Sequence, residues 1–132
     1  MKPSRKRDDS IIKLFNSNKI ATIDDVKTIA GSTSTMTIYR ALLRLDYISS
    51  YSHRGRFYTL PGIPVFDHYG LWSYRSVMFS RYGNLLETAA FMVRHSDEGF
   101  TASELESLLQ VEVKHTLVNL SRRNRISRSR VV

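Results

Sequence analysis

Two clusters of polar and basic side chains in the first half of the chain have the types and spacing to meet a polyanion. The first is Thr33, Ser34, Thr35, Thr37, Arg40 and Arg44. Hydroxyls both donate and accept, so they suit bases or phosphates, and a guanidinium offers a planar fork to phosphate oxygens or to the O6/N7 edge of guanine. Arg40 and Arg44 stand one helical turn apart. Like charges at that spacing slightly weaken an isolated helix, which an anionic partner would offset. The second cluster is His53, Arg54 and Arg56 around Gly55, a basic tip suited to gripping phosphates or entering a minor groove. A third group near the C-terminal end, Arg122, Arg123 and Arg125 with Arg128 and Arg130, suits backbone contact better than base reading. Each group also has a plainer reading. Ser/Thr runs before helices are commonly caps, and cations on a helix or hairpin keep its surface solvated.

The elements that must position these residues can be read locally. Thr22-Ile23-Asp24-Asp25 opens a helix, with Thr22 as N-cap and the Asp pair at the positive helix end. Val26, Ile29 and Ala30 are expected to point inward, and Gly31 ends the helix. Ser32 to Thr35 supply caps for the next helix. There Met36, Tyr39, Leu42 and Leu43 recur at spacings of three and four, Leu45 extends the apolar face, and Thr35, Thr37, Ile38, Arg40 and Arg44 fall on the remaining surface. On that phase a thymine methyl would pack on Thr37 or Ile38. Residues 48–51 and 56–60 read as strands flanking the turn Ser52-His53-Arg54-Gly55. Upstream, Ser10 is expected to cap a first helix carrying Ile11, Ile12, Leu14 and Phe15. Residues 2–7 form a basic arm, either solvated or lying along phosphates.

Residues 20–60 resemble the winged helix-turn-helix superfamily of bacterial and archaeal transcription regulators. The residues that carry the likeness are IDDVKTIAG, STSTMTIYRALLRLDYI and SSYSHRGRFYTL. The same stretch is similar to the N-terminal domain of abortive-infection antitoxin regulators, through the run Leu42 to Leu45 and through Arg54-Gly55-Arg56-Phe57-Tyr58. The resemblance implies duplex DNA binding, often as a homodimer, and no catalysis.

Pro61-Gly62-Ile63-Pro64 breaks regular structure and marks a boundary. An aromatic segment follows, with Phe66, Tyr69, Trp72, Tyr74, Phe79 and Tyr82, and it reads as a packed connector. Asn84 then caps a helix, and Thr101 with Glu104 forms a capping box for another. A last helix begins near Glu112 and buries Val113, Leu117, Val118 and Leu120, and residues 126–132 suit one strand. The order helix, helix, helix, strand thus occurs twice. The expected fold is mainly α with small β-hairpin wings, a tandem winged helix-turn-helix: residues 8–62, an aromatic connector at 63–82, and a second winged-helix-like domain at 83–132.

Composition narrows the function classes. The formal net charge is +8, and it is uneven. Residues 1–60 carry 11 Lys/Arg against 5 Asp/Glu, residues 61–120 carry 4 against 7, and residues 121–132 carry 5 against none. A polyanionic partner would therefore meet the two ends. The absence of Cys removes disulfides, thiolate zinc sites and Cys nucleophiles. His53, His68, His95 and His115 lie far apart without metal-ligand spacing, so no metal is expected. No phosphate-cradling loop, nucleophile elbow or dinucleotide fingerprint occurs, so neither an enzyme nor a cofactor is expected. No apolar stretch suits a signal peptide or membrane span, which points to the cytoplasm and nucleoid. The functional expectation is a sequence-specific duplex DNA-binding protein, a transcriptional regulator. The alternatives are a winged-helix protein-interaction adaptor using the aromatic segment, or an antitoxin-type autoregulator.

Overall fold

The computed structural model describes residues 3–31 and 34–126, with side chains from Lys6 onward. The described chain is mainly helical, with small antiparallel sheets. It divides into two compact units, one of Met1–Val65 with Trp72–Phe79 and one of Phe66–Leu71 with Ser80–Val132.

The first unit opens with α1 (Pro3–Asn18). Ser10 is not its cap. It lies in mid-helix, where its hydroxyl donates to the Lys6 carbonyl at 3.2 Å. From Pro3 onward the expected basic arm is part of this helix, and Lys2 lies outside the described residues. Proline suits a first helical turn because its missing N–H has no intrahelical partner there. Further along, Ile11 and Phe15, about one turn apart, are fully buried.

A two-residue strand, β1 (Ala21–Thr22), leads into α2 (Ile23–Ala30). Thr22 caps α2 as expected, and reciprocally: the Asp25 N–H donates to Thr22 Oγ1 at 3.2 Å, and the Thr22 N–H donates to Asp25 Oδ2 at 3.0 Å. Gly31, at φ 67°, ends the helix in the left-handed conformation.

Helix α3 (Thr35–Arg44) departs from the expected phase. Its buried residues are Ile38, Ala41 and Leu42, whereas Met36 and Leu43 are each 63% exposed. Ile29 of α2, also expected inside, is 48% exposed. At roughly 100° per residue, Met36 and Ile38 lie on nearly opposite sides of the helix. Apolar residues occupy both sides, and Leu42 fits either stripe. Packing selects the stripe that joins Ile11, Phe15 and Val26 in one core with Ala21, Tyr58 and Leu60. Ile38 therefore fills the core rather than facing a thymine.

Strands β2 (Ile48–Ser49) and β3 (Phe57–Thr59) are shorter than expected. With β1 they form an antiparallel sheet in the order β1-β3-β2, pairing Thr22 with Phe57 and Ser49 with Tyr58. The expected connector is itself a β-hairpin, β4 (Leu71–Tyr74) and β5 (Val77–Ser80). Its two loop residues, Arg75 and Ser76, have φ of 50° and 67°, the left-handed pair that a tight hairpin turn requires. Within the first unit, Met78 accepts the Tyr51 N–H at 2.9 Å and donates its own N–H to Ser52 Oγ at 2.8 Å.

The second unit carries α4 (Leu85–Arg94), α5 (Ala102–Leu109) and α6 (Lys114–Arg122). Asn84 caps α4, accepting the Glu87 N–H at 2.9 Å. Thr101 and Glu104 form the expected capping box at 3.0 and 2.8 Å. Helix α6 starts two residues beyond Glu112 and has no side-chain cap. Its Leu117 and Leu120 are buried, while Val118 stands 49% exposed rather than inside. Beyond Ile126, which is buried, the expected strand lies outside the described residues.

Candidate nucleic-acid interface

Of the hydroxyl cluster, Thr33 lies outside the described residues. Ser34 is the N-cap of α3, and its Oγ accepts the Thr37 N–H at 3.2 Å. Thr35 is exposed in the first turn and Thr37 is partly exposed. Arg40 projects from mid-helix, exposed, and makes no side-chain hydrogen bond or ion pair with any described residue. Arg44, one turn later, is engaged. Its Nη2 and Nε donate to the two carboxylate oxygens of Asp8 at 2.8 and 3.1 Å. The spacing of the two arginines pairs them in sequence, but only Arg40 is left uncommitted. The outer face of α3 is mixed. By helical geometry Arg40 lies within about 60° of both exposed apolar residues, Met36 and Leu43.

The basic turn is a single 3₁₀ turn, His53–Gly55. His53, Arg54 and Gly55 have successive φ values of 53°, 55° and 71°. Left-handed backbone costs an ordinary L-residue on the order of 1–2 kcal/mol, so His53 and Arg54 must be held there. Buried hydroxyls hold them. Ser50 Oγ donates to the Ser52 carbonyl at 2.7 Å, and Ser52 Oγ meets His53 Nδ1 at 2.8 Å while accepting the Met78 N–H. The His53 ring stands edge-on to Phe57, with centroids 5.5 Å apart. A methyl group on Gly55 would lie 3.2 Å from Ser49 Oγ, so that position also favours glycine on space. The brace leaves Arg54 and Arg56 exposed.

Tyrosines link α3 to this turn. The Tyr39 and Tyr58 hydroxyls are 3.0 Å apart, and Tyr58 also packs edge-on to Tyr47 at 5.3 Å. Burial, then the hydrogen bond shared with Tyr39, pushes the Tyr58 phenol well above its ordinary pKa. The sequence placed Tyr39 in the core but gave no sign that Tyr58 joins it.

In the second unit Arg122 and Arg123 are exposed on the end of α6. Arg125 is committed, with its guanidinium donating to both oxygens of Glu87 at 2.7 and 2.8 Å. That fork holds the Glu87 carboxyl below its usual range and raises Arg125. Among the described residues no three His, Cys, Asp or Glu side chains cluster as a metal site, and no helix is long and apolar enough to cross a membrane.

Comparison of the chain with protein-family models, with curated proteins and with solved structures gave no match.

Proposed function

We propose that the first unit is a winged helix-turn-helix that binds duplex DNA, and that the protein is a transcriptional regulator. The observation that carries this reading is the uncommitted Arg40 on the outer face of α3, joined through Tyr39 and Tyr58 to the strand beside a braced turn bearing Arg54 and Arg56. The reading takes α2 and α3 as the helix-turn-helix, with α3 in the major groove and β2, the turn and β3 as the wing on adjacent phosphates. The exposed Thr35 and the partly exposed Thr37 would then face base edges or phosphates near the entering end of α3. The succession α4, α5, α6 supports a second winged helix in which Arg122 and Arg123 add backbone contacts. A homodimer would supply a second α3 for a two-fold operator, and the cytoplasm or nucleoid is the setting this reading requires.

Fluorescence anisotropy of random-sequence duplex across a salt series, with single-stranded RNA as competitor, tests it. Neutralising several phosphates should make affinity fall steeply with salt, with a log–log slope of about −0.9 per contact. Absence of binding at low salt would remove the reading.

One observation favours a second reading, a protein-interaction adaptor. Met36 and Leu43 give the outer face of α3 an apolar character that a phosphate-facing helix does not need. Association with a protein through that face would be insensitive to salt and abolished by Leu43→Glu.

A further inference from the structure

On strand β3, side chains alternate between the two faces of the sheet. Tyr58 faces Tyr39 and Tyr47 in the core, so Phe57 faces the other way. There, within the first unit, it helps line a cleft of about 500 Å³. Its apolar lining is Ile20, Phe57, Tyr74 and Val77. Its polar lining is Ser17 and Asn18 at the end of α1 and Asp25 of α2, all three exposed. Arg75 also lines it, with its guanidinium carbon over the Tyr74 ring, 5.6 Å from the ring centre. Tyr74 is stacked in turn on Trp72, with centroids 5.6 Å apart and planes 19° apart.

We propose that this cleft binds a nucleotide. Its size falls in the range of about 300–1,000 Å³ usual for small-ligand sites. Phe57 and Tyr74 give the lining aromatic surface for a planar base, and stacking on aromatics tolerates any base. The polar lining residues offer hydrogen-bond partners for the base edge. Asp25 Oδ2 is occupied by the Thr22 N–H, but Oδ1 has no partner among the described residues and can accept from an exocyclic amine or ring N–H. The Asn18 amide supplies both a donor and an acceptor. Arg75, exposed at a tight turn, is the one cation among the described residues of the lining and takes the phosphate. A lone carboxylate makes a poor metal site, and a purely apolar ligand would use none of the three polar side chains of the lining. The occupant would also bear on the basic turn, because Phe57 touches His53.

The same chemistry is offered by a free nucleotide and by an unpaired nucleotide in a strand, and the inference does not depend on DNA binding by α3. The chain's single tryptophan, Trp72, reports directly, because it stacks on Tyr74. The full chain is titrated with AMP and, separately, with a short oligodeoxyadenylate, following Trp72 emission and checking by calorimetry. Saturable quenching by AMP that weakens about tenfold or more in Arg75→Ala supports a free-nucleotide site. Saturable binding by the oligonucleotide alone, with the same Arg75→Ala loss, supports the site with the strand as its source. Arg40→Ala should leave the AMP titration unchanged, which separates this cleft from the α3 surface. Adenosine binding as tightly as AMP, or equal binding by Arg75→Ala with its circular dichroism intact, would overturn the proposal. So would the absence of saturable emission change and heat with AMP, GMP and the oligonucleotide.

Discussion

Asp8 and Arg44 lie 36 residues apart in the chain and meet in a two-point fork between α1 and α3, at 2.8 and 3.1 Å. The fork joins the first helix to the end of the helix proposed to read DNA. It also gives two arginines of the same helix different roles, since Arg40 has no such partner among the described residues. The Arg44 side chain is 45% exposed, so the pair contributes at most about 1 kcal/mol to stability.

Substitution should separate the two arginines. Arg40→Ala is expected to weaken duplex binding by about 1–3 kcal/mol if it reads a base, and similarly across sequences if it touches only phosphate. Arg44→Ala is expected to change affinity little and stability by no more than about 1 kcal/mol. Anisotropy on the folded variants measures both. Equal losses of affinity would place Arg44 on the DNA despite its fork.

The phase of α3 is testable through stability. Ile38 is fully buried, so Ile38→Ala should cost about 2–5 kcal/mol in urea unfolding. Met36→Ala, on the exposed side, should stay within about 0.5 kcal/mol of the parent. The reverse ranking would restore the phase expected from sequence.

Gly70 is held twice over. Its φ is +79°, and a methyl group there would lie 2.6 Å from Tyr82 Cε2. The Tyr82 ring is itself stacked on Phe91, with centroids 3.9 Å apart, so it cannot retreat freely. Gly70→Ala should therefore destabilise the chain by about 1–3 kcal/mol, read from the midpoint of chemical unfolding. Tyr82→Ala in the same chain should recover the steric part and leave the backbone part.

The Glu87–Arg125 fork predicts a pH dependence. The fork lowers the Glu87 pKa from its ordinary value of 4.5, so its stabilisation is present above that value and is lost as pH falls through the lower folded one. Glu87→Gln should lower the melting temperature slightly at pH near 7, and the gap from the parent should close as the medium becomes more acidic than about pH 4. A gap independent of pH would mean that Glu87 acts by packing rather than by charge.

Local features were legible in the sequence, and the reason is physical. Thr22, Asn84 and Thr101 cap helices by bonds to groups three residues away, so residue type and short spacing suffice to find them. Gly31 ends α2 because it alone there has no Cβ to clash in a left-handed turn. The basic turn around Gly55 was legible for the same reason, although not the three successive left-handed residues or the hydroxyls that hold them. Strand β1 was not legible, because two residues carry no alternation and acquire their role only by pairing with β3. The hairpin of β4 and β5 was obscured by its aromatics, which read equally well as a packed connector.

By itself, then, the sequence determined the helical character of the chain, its caps and turns, its lack of thiols and the placing of its positive charge at both ends, all set by composition and neighbours within a few residues. Only the tertiary structure decided which stripe of α3 faces the core, that Arg44 and Arg125 are committed to Asp8 and Glu87 while Arg40 is not, and that Phe57, Tyr74 and Arg75 share a cleft. Those outcomes depend on residues 12 to 38 positions apart. Which of them meet is fixed by the packing of whole elements, a property that no local spacing encodes.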